Sequence, residues 1–147
     1  MRNGTPRFGR VGIMQGRLVA PEAGRFQSFP RSAWRAEFPR ARAAGIDAIE
    51  WIYDAFGADV NPIAIDSGIF EMQSLGRLHG VDVVSLCADY FMDRPIVRAG
   101  EAEREELSAR LHWLIERCRR ARIGRVVEPD AARHAQYEEM AAARADR

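Results

Sequence analysis

The sequence predicts an α/β fold built from parallel βα units, with four strands and three to four helices. Three observations carry that prediction. Short apolar runs, "VGIMQGRL", "IDAIEWIY", "VDVVSLCAD" and "IGRVVEP", alternate with longer segments whose apolar residues recur at helical spacing. The second and third runs each follow a glycine, Gly45 or Gly80, placed where a helix would stop. No low-complexity linker divides the 147 residues, which is about the length of one domain.

The elements follow in order. Residues 11–18 read as the first strand, closed by Gly16, and residues 19–30 as a loop with Pro21, Gly24 and Pro30. Ser32 is placed to cap a helix over 32–44, with Trp34, Phe38 and Ala41 on one face. Pro39 inside that span predicts a kink or a late start. Residues 46–53 form the second strand. A helix capped by Asp66 or Ser67 follows, with Ile69, Met72 and Leu75 on one face. Residues 81–89 form the third strand and residues 90–100 a loop.

The third helix, 101–122, has the clearest pattern. Leu107, Leu111, Leu114, Ile115 and Cys118 form its apolar stripe. Glu101, Glu103, Glu105 and Glu106 crowd its start, and Arg117, Arg119, Arg120 and Arg122 its end, which complements the helix dipole. Residues 123–129 form the fourth strand. Residues 130–147 are rich in Ala and charge, and read as a weakly helical or frayed tail.

Composition narrows the function. The formal net charge is +1 and every one of the 22 basic residues is Arg. No bulk positive field is present to hold nucleic acid or an anionic membrane. Cys87 and Cys118 fit no CxxC pattern and read as reduced core thiols of a cytoplasmic protein. The basic start "MRNGTPRFGR" has no apolar signal core after it, and no apolar run approaches a membrane span.

Alternate strand residues face opposite sides. In the third strand Val84 and Leu86 face one way, and Ser85, Cys87 and Asp89 the other. In the second, Ile49 and Trp51 share a face opposite Ala48 and Glu50; in the first, Gln15 and Arg17 share a parity. Polar groups therefore gather at the C-terminal ends of successive strands, where α/β folds place their sites. No GxGxxG or GxxxxGK[ST] follows the first strand, which favours a barrel-type arrangement over a doubly wound sheet.

The segments "GIMQGRL", "FQSFP…W…EF", "AAGIDAIEWIYD" and "VVSLCADYFMDRP", in that order, resemble the N-terminal half of xylose-isomerase-like TIM-barrel proteins, the sugar-phosphate isomerase/epimerase group. The resemblance implies about half of a TIM barrel over 1–129 and a divergent tail over 130–147. It implies a sugar or sugar-phosphate substrate. It also implies a divalent metal, held in the family by Glu, Asp, His and Glu of C-terminal strands that these residues do not contain. The chain is then expected to be a truncated fragment, inactive alone, with no metal site of its own. An alternative is a non-enzymatic half-barrel whose open sheet edges and uncovered inner face make a homodimer. The superfamily also includes apurinic-site endonucleases, but the third strand here lacks their histidine and the charge is near neutral.

Six residues are candidates for substrate binding: Gln15, Arg17, Glu50, Trp51, Asp89 and Tyr90. Asp89 and Tyr90 suit polyol recognition, since both hydrogen-bond hydroxyls and an aromatic face packs on C–H groups; the competing reading is a loop anchored by Tyr90, Phe91 and Met92. Glu50 reads either as a hydroxyl ligand, as a solvated strand-end carboxylate or as a partner for Arg17. Gln15 and Arg17 read as holders of a substrate oxygen or phosphate, Arg17 by a bidentate fork; the competing reading is a strand-end Arg in solvent. Asp93 and Arg94 are expected to pair with each other or face solvent, and Glu128 to face the mouth or sit in a turn. His79, His112 and His134 share no strand end with a carboxylate, and no HxH, HExxH or Cys/His cluster occurs.

Overall fold

The computed structural model describes residues 9–128. The expected tail over 130–147 lies outside the described residues. The described elements are β1 (Gly12–Met14), α1 (Trp34–Ala43), β2 (Ala48–Ile52), α2 (Asp66–His79), β3 (Asp82–Cys87), α3 (Tyr90–Asp93), α4 (Glu101–Ala121) and β4 (Val126–Val127). Short 3-10 turns lie at Glu22–Gly24, Pro62–Ala64 and Ile96–Arg98.

The four strands form one sheet in the order β1-β2-β3-β4, parallel at every pairing. The fold is thus α/β, as the alternating periodicity predicts. A doubly wound sheet reverses its strand order midway; this sheet does not. Parallel crossovers between sequential neighbours are right-handed as a rule, which places successive helices on one face. The helices accordingly meet in chain order, α1 against α2 and α2 against α4.

Trp51 occupies the centre of the core and is fully buried. The rings of Phe29, Trp34 and Phe38 lie 5.8, 5.6 and 6.3 Å from it, in tilted or edge-on contacts that aromatic quadrupoles favour. Its indole N–H donates to Asn61 Oδ1 at 3.0 Å, and Asn61 Nδ2 donates to the Ile52 carbonyl at 2.9 Å. Arg117 binds α4 to the start of α2: it donates to the Ile63 carbonyl and to Asp66, both at 2.7 Å.

Several expectations are corrected. The first strand stops at Met14 because the Gln15 side chain takes over the ladder, its Oε1 accepting the Ile52 N–H at 2.9 Å. Ser32 does not cap α1: its hydroxyl and N–H both donate to Glu22, and the helix starts late, at Trp34, with Pro39 inside it. Neither Asp66 nor Ser67 caps α2; Ile65 holds the cap position and Asp66 is drawn to Arg117 and Arg120. The segment 90–100 is not all loop, since α3 and a 3-10 turn lie within it. On α4, Ile115 is 47% exposed and Arg117 is buried with Leu107, Leu114 and Cys118. The stripe turns towards Arg117 because the carbonyl and carboxylate it binds lie on that side.

On the face of the sheet opposite Trp51, Ala48, Ser85 and Cys87 are at most 5% exposed, while Val127, the register partner of Cys87, is 37% exposed. Among the described residues no helix is long and apolar enough to cross a membrane.

Gly68, in the first turn of α2, lies against the Pro62–Ala64 turn. A Cβ there would sit 2.2 Å from the Pro62 carbonyl oxygen, a backbone atom that cannot swing aside. Gly68→Ala should therefore lower the urea midpoint, by a stability loss of about 1–3 kcal/mol, with the slope of the transition unchanged. Urea unfolding followed by Trp fluorescence measures it.

Candidate functional site

The site is built on the tips of β2 and β3. Their register pairs Glu50 with Ser85, so both side chains leave the sheet on the same face. The Ser85 hydroxyl donates to Glu50 Oε2 at 2.6 Å. Beyond Ser85 on that face, the Cys87 thiol donates to Asp89 Oδ1 at 3.1 Å. Burial pushes the Cys87 thiol well above the ordinary range, and the Asp89 and Glu50 carboxylates push it further. Cys87 is therefore a buried S–H donor and not a thiolate nucleophile.

Gln27 reaches the same tips from the loop after β1. Its Nε2 donates to Asp89 Oδ2 at 3.4 Å, and its Oε1 accepts from Arg17 at 3.4 Å. A polar line thus runs Arg17–Gln27–Asp89–Cys87, with the Glu50–Ser85 pair behind Cys87. Beside it opens a cavity of about 250 Å3, whose lining includes Gln27, Asp54, Asp89, Asp93 and Arg25. That size is a little below the roughly 300 Å3 at which ligand pockets usually begin, and fits a small hydroxylated molecule. Three carboxylates against one guanidinium give the lining an acidic balance.

The candidates from sequence divide into two sets. The structure brings Arg17 and Asp89 to the strand tips through Gln27; Glu50 does not end its strand as expected but lies in the middle of β2, paired with Ser85. The structure places the other three in the scaffold. Gln15 is 1% exposed and completes the β2 ladder. Trp51 lies on the helix side, opposite Glu50, with no exposed surface. Tyr90 stacks between Tyr53 and Phe91, at 5.6 and 5.4 Å, with Arg110 over its ring. Arg94 pairs with Glu103 and Glu106 across to α4, and not with Asp93. Arg17 does not meet Glu50; besides Gln27 it lies over the exposed Phe26 ring. Glu128 is exposed.

Three residues at the site are not among the candidates read from the sequence, although each lies in a segment that carries the resemblance. Gln27 sits in the loop between β1 and α1. Asp54 is buried, its carboxylate accepting the Phe29 and Gly57 N–H groups at 2.7 Å each, which shapes the cavity wall. Glu37 reads as an ordinary polar position of α1, yet it is 1% exposed and accepts the Gly16 N–H at 2.6 Å. It anchors the turn that carries Arg17.

Among the described residues no group of three His, Cys, Asp or Glu is placed to hold a metal ion. Glu50 is engaged by Ser85, and Asp89 by Cys87 and Gln27. Compared with known proteins, the chain matches no family model and no curated protein.

Burial pushes the Glu37 carboxyl up to about 7 from its ordinary 4.5; the Gly16 and Leu18 N–H groups, the Gln15 amide and the Arg40 charge oppose the rise without cancelling it. Between those values the folded state holds a proton that the unfolded state has lost. Stability must then fall as pH rises from about 4.5 through 7 and level off above, by on the order of 3 kcal/mol from this group. Glu37→Gln should flatten that segment of a melting-temperature profile against pH.

Proposed function

We propose that the strand tips bind a neutral polyol, as the substrate-holding part of a sugar isomerase- or epimerase-like barrel, and that this chain does not turn the sugar over by itself. The observation that carries the reading is the polar line Arg17–Gln27–Asp89 at the C-terminal end of β3, with the Glu50–Ser85 pair further down the same face of the parallel strands. Carboxylates accept from sugar hydroxyls, while the Gln27 amide both donates and accepts. The order β1-β2-β3-β4 supports a barrel-type arrangement, and barrels place substrates at this end.

The acidic balance of the cavity favours a free sugar over its phosphate. Asp54, Asp89 and Asp93 line it with Arg25, so a phosphate group would meet more repulsion than attraction. Proton transfer at a sugar carbon needs an acid and a base on either side of the bound substrate. Cys87 is held protonated and the Asp54 carboxylate is taken up by backbone N–H groups. The chemistry assigned to this chain is therefore binding and orientation.

Calorimetry of the purified chain with ketoses and their phosphates tests the reading, beside a turnover assay with added divalent metal. The expected result is binding of a free ketose without turnover. Asp89→Asn should weaken that binding by roughly thirtyfold, the equivalent of about 2 kcal/mol for a hydrogen bond to a charged group. Tighter binding of the phosphates, or clear turnover, would contradict the proposal.

A further inference from the structure

At the opposite end of the sheet, the start of β3 and the last turns of α2 and α4 enclose a half-open cavity of about 430 Å3. It is larger than the cavity at the strand tips. Its floor is apolar, with Met72, Val83 and Ala121. Its rim carries three guanidinium groups, Arg10, Arg77 and Arg122, and one carboxylate, Asp82. Arg10 pairs with Asp82 and uses up that charge. Arg77 hydrogen-bonds the Ser74 hydroxyl at 3.1 Å. Among the described residues neither Arg77 nor Arg122 has a carboxylate partner. Among the described residues, two positive charges therefore border the cavity without a carboxylate partner.

A second, backbone observation points to the same place. Helices α1 and α2 run out into a left-handed residue that is glycine, Gly45 at φ 74 and Gly80 at φ 66. Helix α4 ends in the same conformation on Arg122, at φ 61. Its N–H bonds the Arg119 carbonyl at 3.1 Å and the next N–H, of Ile123, bonds Cys118 at 2.9 Å. That conformation is strained for a residue with a side chain and free of strain for glycine. Strain kept at a cavity rim is an indication of function.

We infer that this cavity binds a small amphipathic anion, a phosphate or carboxylate head on an apolar body, with Arg77 and Arg122 holding the head and Met72, Val83 and Ala121 packing the body. Guanidinium groups recognise both heads through paired N–H donors. The site is separate from the strand tips and does not rest on the polyol reading.

Calorimetry of the full chain at low salt, with phenyl phosphate, benzoate and inorganic phosphate as probes, tests it. At least one aromatic anion should bind more tightly than inorganic phosphate, and the better of the two identifies the head. Arg77→Gln and Arg122→Gly should each weaken that binding by about tenfold or more, and added salt should weaken it in the wild type. Arg122→Gly should at the same time raise the melting temperature, because glycine relieves the strain. Absence of binding at millimolar probe, equal binding of inorganic phosphate, or affinities unchanged in both variants would overturn the inference. So would a fall in melting temperature that accompanies lost binding in Arg122→Gly, since the residue would then only hold the helix end.

Discussion

Trp51 decides which way the second strand faces. A one-residue slip in a strand turns every side chain to the other side. Trp51 is enclosed by Phe29, Trp34 and Phe38, and its N–H is held by Asn61. Neither the large apolar surface nor the N–H donor has an equivalent place on the opposite face. The indole therefore commits β2 to one orientation, and that orientation sends Glu50 to the side where Ser85 meets it. Through the shared register the same choice sets Cys87 of β3 on that face and brings Asp89 to its tip.

Around this core, side chains complete hydrogen bonding that the short strands leave open. Gln15 takes the Ile52 N–H after β1 ends. Asn61 takes the Ile52 carbonyl. Asp54 holds the Phe29 and Gly57 N–H groups, and Glu37 the Gly16 N–H. Buried backbone groups left unpaired would each be costly. These side chains thus fix the loops that bear Arg17 and Gln27. The two ends of the sheet differ in charge: carboxylates dominate the cavity at the strand tips, and guanidinium groups rim the one at the strand starts.

The legible part of the sequence was the part written in local pattern. Alternation within strands, helical spacing on α2 and α4, and glycines at helix ends are short-range signals, and the α/β fold with parallel strands follows from them. What was not legible depends on partners far along the chain. Ser32 has the chemistry of a cap, but Glu22 claims its hydroxyl. Arg117 resembles a solvated helix-end charge, but Ile63 and Asp66 draw it inward in place of Ile115. Of the candidate site, Glu50 and Asp89 were readable from parity alone. Tyr90 was not, because its ring is claimed by Tyr53 and by Arg110 of α4. Gln27 and Glu37 lie in a segment that carries the resemblance, but neither role is written locally, since each is acquired from a strand tip or turn distant in sequence.

The central claim is that the tips of β2 and β3 converge with Gln27 on one site for a hydroxylated ligand. Backbone amide chemical shifts of the isotope-labelled chain, followed while a free ketose is titrated, test it most directly. The account predicts saturable shifts confined to the neighbourhood of Gln27, Glu50, Ser85 and Asp89. Shifts centred on other surfaces, or none at saturating sugar, would contradict it.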